Sequence, residues 1–107
     1  MKTFLEPLQV LIEYKLYRLK RDRVEVKVRI ILDMLEDSLY YAPGCIICAL
    51  DEAEVLRRYG RNHVGFTVCH KRSGERMDGG CDIIIKYSKD NHEYGIIEAI
   101  RFNNKVL

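Results

Sequence analysis

The most constraining feature of the sequence is a stretch near its C-terminus, GGCDIIIKYSKDNHEYGIIEAIRF, residues 79–102. Two apolar runs, 81–87 and 94–102, flank the polar segment SKDNH, and both are rich in isoleucine. Because β-branched residues favour strands and a short polar segment between them favours a turn, this stretch predicts an antiparallel hairpin. A third apolar run, 63–71, comes before it, so the C-terminal half predicts a three-stranded antiparallel meander.

The predicted hairpin carries an acidic residue in each strand, Asp82 and Glu98. Because side chains alternate along a strand, a two-residue loop at Asp90-Asn91 would place Asp82 opposite Ala99 and turn Glu98 to the other face. A loop of three or five residues would let Asp82 oppose Glu98, with Lys86 on the same face. We favour the longer loop, because two-residue loops prefer Asn-Gly or Asp-Gly.

The N-terminal half predicts a helix followed by a mixed region. Leucine and isoleucine at helical spacing predict a helix over 4–20, and Thr3 and Glu6 have the spacing of a capping box. Valine and isoleucine then alternate with charged residues, which predicts a strand over 24–30 and a helix over 31–41. One continuous helix through this region is the alternative.

The middle of the chain predicts one more strand and one more helix. Ala42-Pro43-Gly44 breaks the chain, and the apolar run CIICAL that follows predicts a short buried strand. Asp51 can cap a helix over 51–59, which Gly60 would end. The sequence therefore predicts an α+β protein with a single domain over residues 1–107.

Composition excludes several classes of protein. The 107 residues are 48% hydrophobic and 32% charged, with a net charge of +2, which is typical of folded globular proteins and not of disordered ones. No apolar run is long enough to cross a bilayer, and the N-terminus lacks the pattern of a signal peptide. We therefore expect a cytoplasmic protein that has no membrane partner.

Four cysteines raise the question of a metal or redox site. Cys45-x-x-Cys48 is half of a zinc knuckle, but no second pair follows, and Cys69 and Cys81 fit no familiar spacing. A thioredoxin-like redox pair is the other alternative. Since the pair lies inside an apolar run, we predict that Cys45 and Cys48 are buried structural thiols without a metal.

Basic residues cluster in three segments, which are typical either of solvated surfaces or of patches that contact phosphates. No sequence-reading motif accompanies them, so any affinity for nucleic acid would be largely electrostatic. The residues are Arg18, Lys20, Arg21, Arg23, Arg57, Arg58, Arg61, Lys71, Arg72 and Arg76. Our leading hypothesis is a small accessory protein, of the kind encoded by viruses or plasmids. It would form a homodimer, use no cofactor and contact nucleic acid through these clusters.

Four segments together resemble a known enzyme core. EAEVLRRYG, HVGFTVCHKRSG, GGCDIII and YGIIEAIRF, within residues 52–102, are similar to the core of the PD-(D/E)xK nucleases, and to archaeal Holliday-junction resolvases in particular. The resemblance implies a Glu-bearing helix before three antiparallel strands. By this resemblance Glu52 or Glu54 is the helix acid, and with Asp82 and Glu98 it would hold Mg²⁺.

The chain departs from the nuclease pattern at two positions. Ile100 stands where the family has its catalytic lysine, and Cys81 stands where the family has proline. Lys86 could serve as a migrated lysine, because alternation places it on the same strand face as Asp82. The alternative function is therefore a magnesium-dependent nuclease, or an inactive descendant of one.

Overall fold

The structure is a computed structural model that describes residues 5–107, so the predicted capping box at Thr3 lies outside the described residues. The chain begins with α1 (Glu6–Val10), a π-helical segment (Leu11–Leu16) and α2 (Tyr17–Arg21). These three follow one another without a break, and we call them together the N-terminal helix. They cover most of the predicted range 4–20.

The π-helical segment sets which side of the N-terminal helix is buried. The Tyr17 N–H donates to the Ile12 carbonyl, a bond that spans five residues and therefore places more residues in each turn than an α-helix has. Residues four apart consequently stay on one side of this helix. Leu8, Ile12 and Leu16 have this spacing, and all three are fully buried.

The strand predicted over 24–30 is wrong for most of its length. Only β1 (Val26–Lys27) is extended, and α3 (Val28–Ser38) starts three residues before the predicted helix. Burial of a helical stripe outweighs the β propensity of the valines, which is a weak and context-dependent preference. Three residues of that stripe are buried: Val28, Ile31 and Leu35.

One antiparallel sheet contains all the strands. Its order is β1-β5-β4-β3-β2, with β6 beside β5. The α+β class is therefore confirmed, but the C-terminal arrangement differs from a separate three-stranded meander, because other strands line both sides of it. The remaining strands are β2 (Cys45–Ala49), β3 (His63–His70), β4 (Cys81–Ser88), β5 (Asn91–Phe102) and β6 (Lys105–Val106).

Helix α4 (Glu52–Tyr59) connects β2 to β3 and begins where the sequence predicts. The Asp51 side chain accepts a hydrogen bond of 3.0 Å from the Glu54 N–H, which satisfies one of the free donors of the first turn. Gly60, at a φ of 90°, ends the helix in a conformation that residues with a Cβ rarely adopt. No helix within residues 5–107 is long and apolar enough to cross a membrane.

The two faces of the sheet carry different helices. The N-terminal helix and α3 share a hydrophobic core with Cys81, Ile83 and Ile85 of β4, and we call this side the core face. The intervening residues of β4, among them Asp82 and Ile84, point to the opposite face because side chains alternate. Helix α4 packs on this second face, which we call the α4 face.

We expect the close approach of β5 to β4 at Gly95 to make that position intolerant of a side chain. A Cβ there would lie 2.6 Å from the Lys86 carbonyl oxygen and 2.6 Å from Ile85 Cγ2, so backbone would have to shift. Gly95→Ala should lower the free energy of unfolding by about 2 kcal/mol in urea denaturation. Gly44→Ala is the control, because its Cβ would meet nothing within 4 Å. Equal stability of the two variants would contradict this packing.

Candidate nucleic-acid interface

The β4–β5 hairpin determines which residues meet at the candidate site. Its loop has two residues, Lys89–Asp90, since Ser88 pairs with Asn91. The predicted loop of three or five residues is therefore wrong, and so is the alternative two-residue position at Asp90-Asn91. At the far end of the hairpin Asp82 pairs with Arg101 and not with Glu98.

Two register shifts between β4 and β5 place Glu98 away from Asp82, the first between Tyr87 and Ser88 and the second a β-bulge at Glu98. Ile84 pairs with Ala99 while the next residue, Ile85, pairs with Ile97, so Glu98 is an extra residue in β5. Its side chain is exposed, and it takes part in no ion pair within residues 5–107. The structure thus does not bring Glu98 and Asp82 together as directly opposed residues.

Asp82 belongs to a row of side chains that crosses the α4 face. Strand register places Cys48, Thr67, Asp82 and Arg101 opposite one another on four successive strands. Thr67 is 3% exposed, and neither its Oγ1 nor Asp82 Oδ1 has a hydrogen-bond partner within the described chain. Buried polar atoms normally have hydrogen-bond partners, so these two unpaired oxygens are an unusual feature of the sheet interior.

Arg76 neutralises the carboxylate of this row. Its guanidinium donates to Asp82 Oδ2, and the hydrogen bond raises the pKa of Arg76. The Asp82 side chain is only 14% exposed, whereas that of Arg76 is 44% exposed. The carboxylate therefore faces the sheet, and the cation closes the site toward solvent.

A cleft of about 240 Å³ lies on the other side of Asp82, between the end of α4 and the last two strands. Arg58 and Tyr59 line it from α4, and Arg101 and Asn104 line it from β5 and the turn after it. We call this the arginine cleft. Its charged groups are the guanidinium groups of Arg58 and Arg101 and the carboxylate of Asp82, and the Asn104 side-chain amide adds further donors. Guanidinium and amide donors are the chemistry that holds phosphate oxygens.

A much smaller cavity, of about 20 Å³, brings two of the predicted metal ligands together. Glu54 and Asp82 both line it, as the nuclease resemblance implies, but so do Arg58 and Arg76. Arg58 Nε lies 3.6 Å from Glu54 Oε1. Within residues 5–107 no group of three or more His, Cys, Asp or Glu side chains is placed to hold a metal ion.

The other predicted nuclease residues lie apart from this cavity. Glu52 lines a separate pocket with Arg61 and His63. Lys86 is exposed on β4, where its strand neighbours are His63 and Ile96. Neither residue lines the cavity or the cleft that contains Asp82.

The sheet separates the predicted basic clusters. The first cluster lies at the end of the N-terminal helix, on the core-face side of the sheet, and consists of Arg18, Lys20, Arg21 and Arg23. In it, Arg21 Nε lies 3.0 Å from Asp22 Oδ1. The second cluster, Arg57, Arg58 and Arg61, lies on and just after α4. The third, Lys71, Arg72 and Arg76, lies between β3 and β4.

Arg101 is a basic residue of the site that the sequence pattern does not single out. Its neighbours in the sequence are apolar, so it stands outside every basic cluster. The available signal was a single basic residue between two large apolar residues, Ile100 and Phe102, near the end of a predicted strand. Only the register of the hairpin shows that this charge faces Asp82 and the end of α4.

The cysteines divide into two pairs by burial. Cys45 and Cys48 are half-buried, so their predicted burial is wrong, because β2 is an edge strand of the sheet. Cys69 and Cys81 are buried, and all four are free thiols. Burial raises the pKa of Cys81 to about 12. Burial is also the main cause that raises the pKa of Cys69, and a hydrogen bond with the neighbouring Cys48 raises it further.

Comparison with protein families, with curated proteins and with solved structures finds no match for this chain.

The raised pKa values predict a two-step reaction with a thiol reagent. At pH 8 the native protein should react with Ellman's reagent at Cys45 and Cys48, since only the thiolate is nucleophilic and these two thiols are half-exposed. Cys69 and Cys81 should react only as the protein unfolds. Mass spectrometry of peptides from a timed reaction would locate each modified residue. Early modification of Cys81 would contradict the assigned burial.

Proposed function

We propose that this protein binds nucleic acid through the arginine cleft on its α4 face, as a self-associating cytoplasmic accessory protein. The observation that carries the proposal is the convergence of Arg58 and Arg101, which come from distant parts of the sequence and line one cleft with Tyr59 and Asn104. Arginine pairs and amide donors suit phosphate oxygens, and an aromatic ring beside them suits a base or a sugar.

The local charge balance supports an anionic ligand. Arg58, Arg76 and Arg101 surround the cleft and the small cavity beside it, whereas the acids lining the two are Glu54 and Asp82. Both acids are already paired, Glu54 with Arg58 and Asp82 with Arg76, while Arg101 has no ion pair within the described residues. A phosphate would therefore meet an excess of positive charge.

Binding of this kind is expected to be electrostatic and independent of sequence. Phosphate contacts fix the position of a protein on nucleic acid but carry no information about the bases. Each neutralised phosphate releases counterions, so the affinity falls as the salt concentration rises. Arg57 and Arg61, both exposed near the end of α4, can extend the contact beyond the cleft.

Removing the charges of the arginine cleft should weaken binding to DNA. We expect the double variant Arg58→Gln/Arg101→Gln to lose about tenfold in affinity for a fluorescent oligonucleotide at 50 mM salt, measured by fluorescence anisotropy. The slope of log affinity against log salt should fall by about 2, since two phosphate contacts are removed.

The matched control for this experiment is Arg29→Gln. Arg29 lies on α3, on the core-face side, where it pairs with Asp33 and Glu36, so its loss also removes one positive charge but far from the cleft. Its affinity should stay close to that of the native protein. A loss in the control as large as that in the cleft double variant would contradict the proposal, as would an absence of any salt-sensitive binding.

A second candidate function, a metal-dependent nuclease, keeps one specific observation in its favour. Glu54 and Asp82, the helix acid and the motif aspartate of the resemblance, line the same small cavity. A metal ion there would have to displace Arg76 from Asp82 and take its remaining ligands from water or from the nucleic acid.

The nuclease alternative predicts cleavage of branched or plasmid DNA with Mg²⁺ and none with EDTA. Asp82→Asn should abolish this cleavage, whereas Glu98→Gln should leave it unchanged, because Glu98 lies at the bulge and outside the cavity. The two variants remove one negative charge each. Absence of cleavage under all conditions, with binding retained, would leave the first proposal alone.

A further inference from the structure

The N-terminal helix carries a second set of residues with the same four-residue spacing as its buried side. Glu6, Val10, Tyr14 and Arg18 are all exposed, and Val10 and Tyr14 are 52% and 66% exposed. Because the π-helical segment keeps residues four apart on one side, these four form a line along the helix. We call this line the exposed ridge.

The exposed ridge is complementary to a second copy of itself that runs in the opposite direction. It reads acid, apolar, apolar, base from the N-terminal to the C-terminal end. A second copy of the helix, packed antiparallel about a two-fold axis that meets the ridge between Val10 and Tyr14, would place Glu6 against Arg18 of the partner subunit and Val10 against Tyr14 of the partner subunit. An isologous two-fold interface requires this self-complementarity.

A shallow apolar groove runs beside the ridge and can receive side chains of a second copy. It measures about 630 Å³ and is lined by Pro7, Leu11, Lys15 and Leu19 together with the ridge residues Val10, Tyr14 and Arg18. Exposed apolar residues scattered singly need no explanation, but a continuous apolar strip bordered by opposite charges at its two ends is typical of an interaction surface.

We propose that this chain forms a homodimer by antiparallel packing of the exposed ridge of its N-terminal helix against that of a second copy. The inference deepens the self-association in the proposed function by naming its surface, and it does not depend on nucleic-acid binding. The helix is about 24 Å long at 1.5 Å per residue, so the interface is small and the dimer is expected to be weak, with a Kd of roughly 10–100 µM.

The proposed dimer interface and the arginine cleft lie on opposite sides of the sheet. The N-terminal helix packs on the core face, whereas Arg58 and Arg101 line a cleft on the α4 face. A dimer through the exposed ridge therefore leaves both clefts accessible, one on each outer side. Arg18 would be used at the interface, so its contribution to nucleic-acid binding would be smaller than that of the α4 cluster.

Sedimentation equilibrium of the full chain between 5 and 500 µM tests the inference. We expect a monomer–dimer equilibrium for the native protein and at least a tenfold weaker one for Tyr14→Glu, because this change places a carboxylate in the apolar part of the ridge. Tyr40→Glu is the matched control, since Tyr40 is 76% exposed in the turn after α3 and should tolerate the same change without effect. Circular dichroism melting of each variant verifies that it is folded.

A charge exchange tests the antiparallel geometry itself. Glu6→Arg and Arg18→Glu should each weaken the dimer, whereas the double variant Glu6→Arg/Arg18→Glu should restore it, because each residue then again faces an opposite charge. A native protein that stays monomeric over the whole range would overturn the inference, as would a Tyr14→Glu variant that dimerises normally. A double variant no stronger than the single ones would exclude the antiparallel register.

Failure of this inference can be told from failure of the proposed function. The Tyr14→Glu variant should retain the salt-dependent affinity of each cleft for a short oligonucleotide that occupies one site. Normal oligonucleotide binding by a native protein that never dimerises would remove the interface and keep the cleft. Dimerisation without any oligonucleotide binding would keep the interface and remove the cleft.

Discussion

The β-bulge at Glu98 governs the way in which β5 serves both faces of the sheet. On one side of the bulge the positions of Gly95 and Ile97 belong to the core face, where they pair with Tyr87 and Ile85, and on the other side Ile100 and Phe102 belong to it. The intervals between these buried residues require one extra residue between Ile97 and Ile100, since strict alternation would turn one pair outward. By supplying that residue, the bulge buries both pairs and leaves Glu98 exposed.

This same register places the candidate site. Because Ile83 and Ile100 pair on the core face, Asp82 and Arg101 must pair on the α4 face. Helix α4, capped by Asp51, then sets Arg58 and Glu54 above this pair. The burial of isoleucines on one face of the sheet thus determines which charged groups meet on the other, and no long-range interaction between the charges is needed to bring them together.

Sequence patterns predicted the elements whose signals are local. The cap and stop of α4 and the apolar runs of β3, β4 and β5 lie close to their predicted positions. The strand at 24–30 could not be predicted correctly, because both a helical and an alternating apolar pattern fit it and only packing on the sheet decides between them. The register of the hairpin depends on the loop at Lys89–Asp90, on the shift between Tyr87 and Ser88 and on the bulge at Glu98, and none of these has a sequence signature of its own. The pairing of Asp82 with Arg101 therefore cannot be predicted from the alternation of side chains along an unbroken ladder.

Arg76 is the residue that most strongly distinguishes an anion site from a cation site on the α4 face. A divalent metal ion needs a free carboxylate, but Asp82 Oδ2 already accepts a charge-assisted hydrogen bond from Arg76, and such bonds are stronger than neutral ones. The Asp82 side chain is mostly buried, so separating it from its cation would leave a desolvated charge, which costs far more than breaking an exposed pair. A phosphate that binds Arg101 and Arg58 leaves the pair of Asp82 with Arg76 intact, and the Asp82 carboxylate that also lines the cleft is already neutralised by that pair. The electrostatics of the row therefore favour an anionic ligand in the arginine cleft over a metal ion in the cavity beside it.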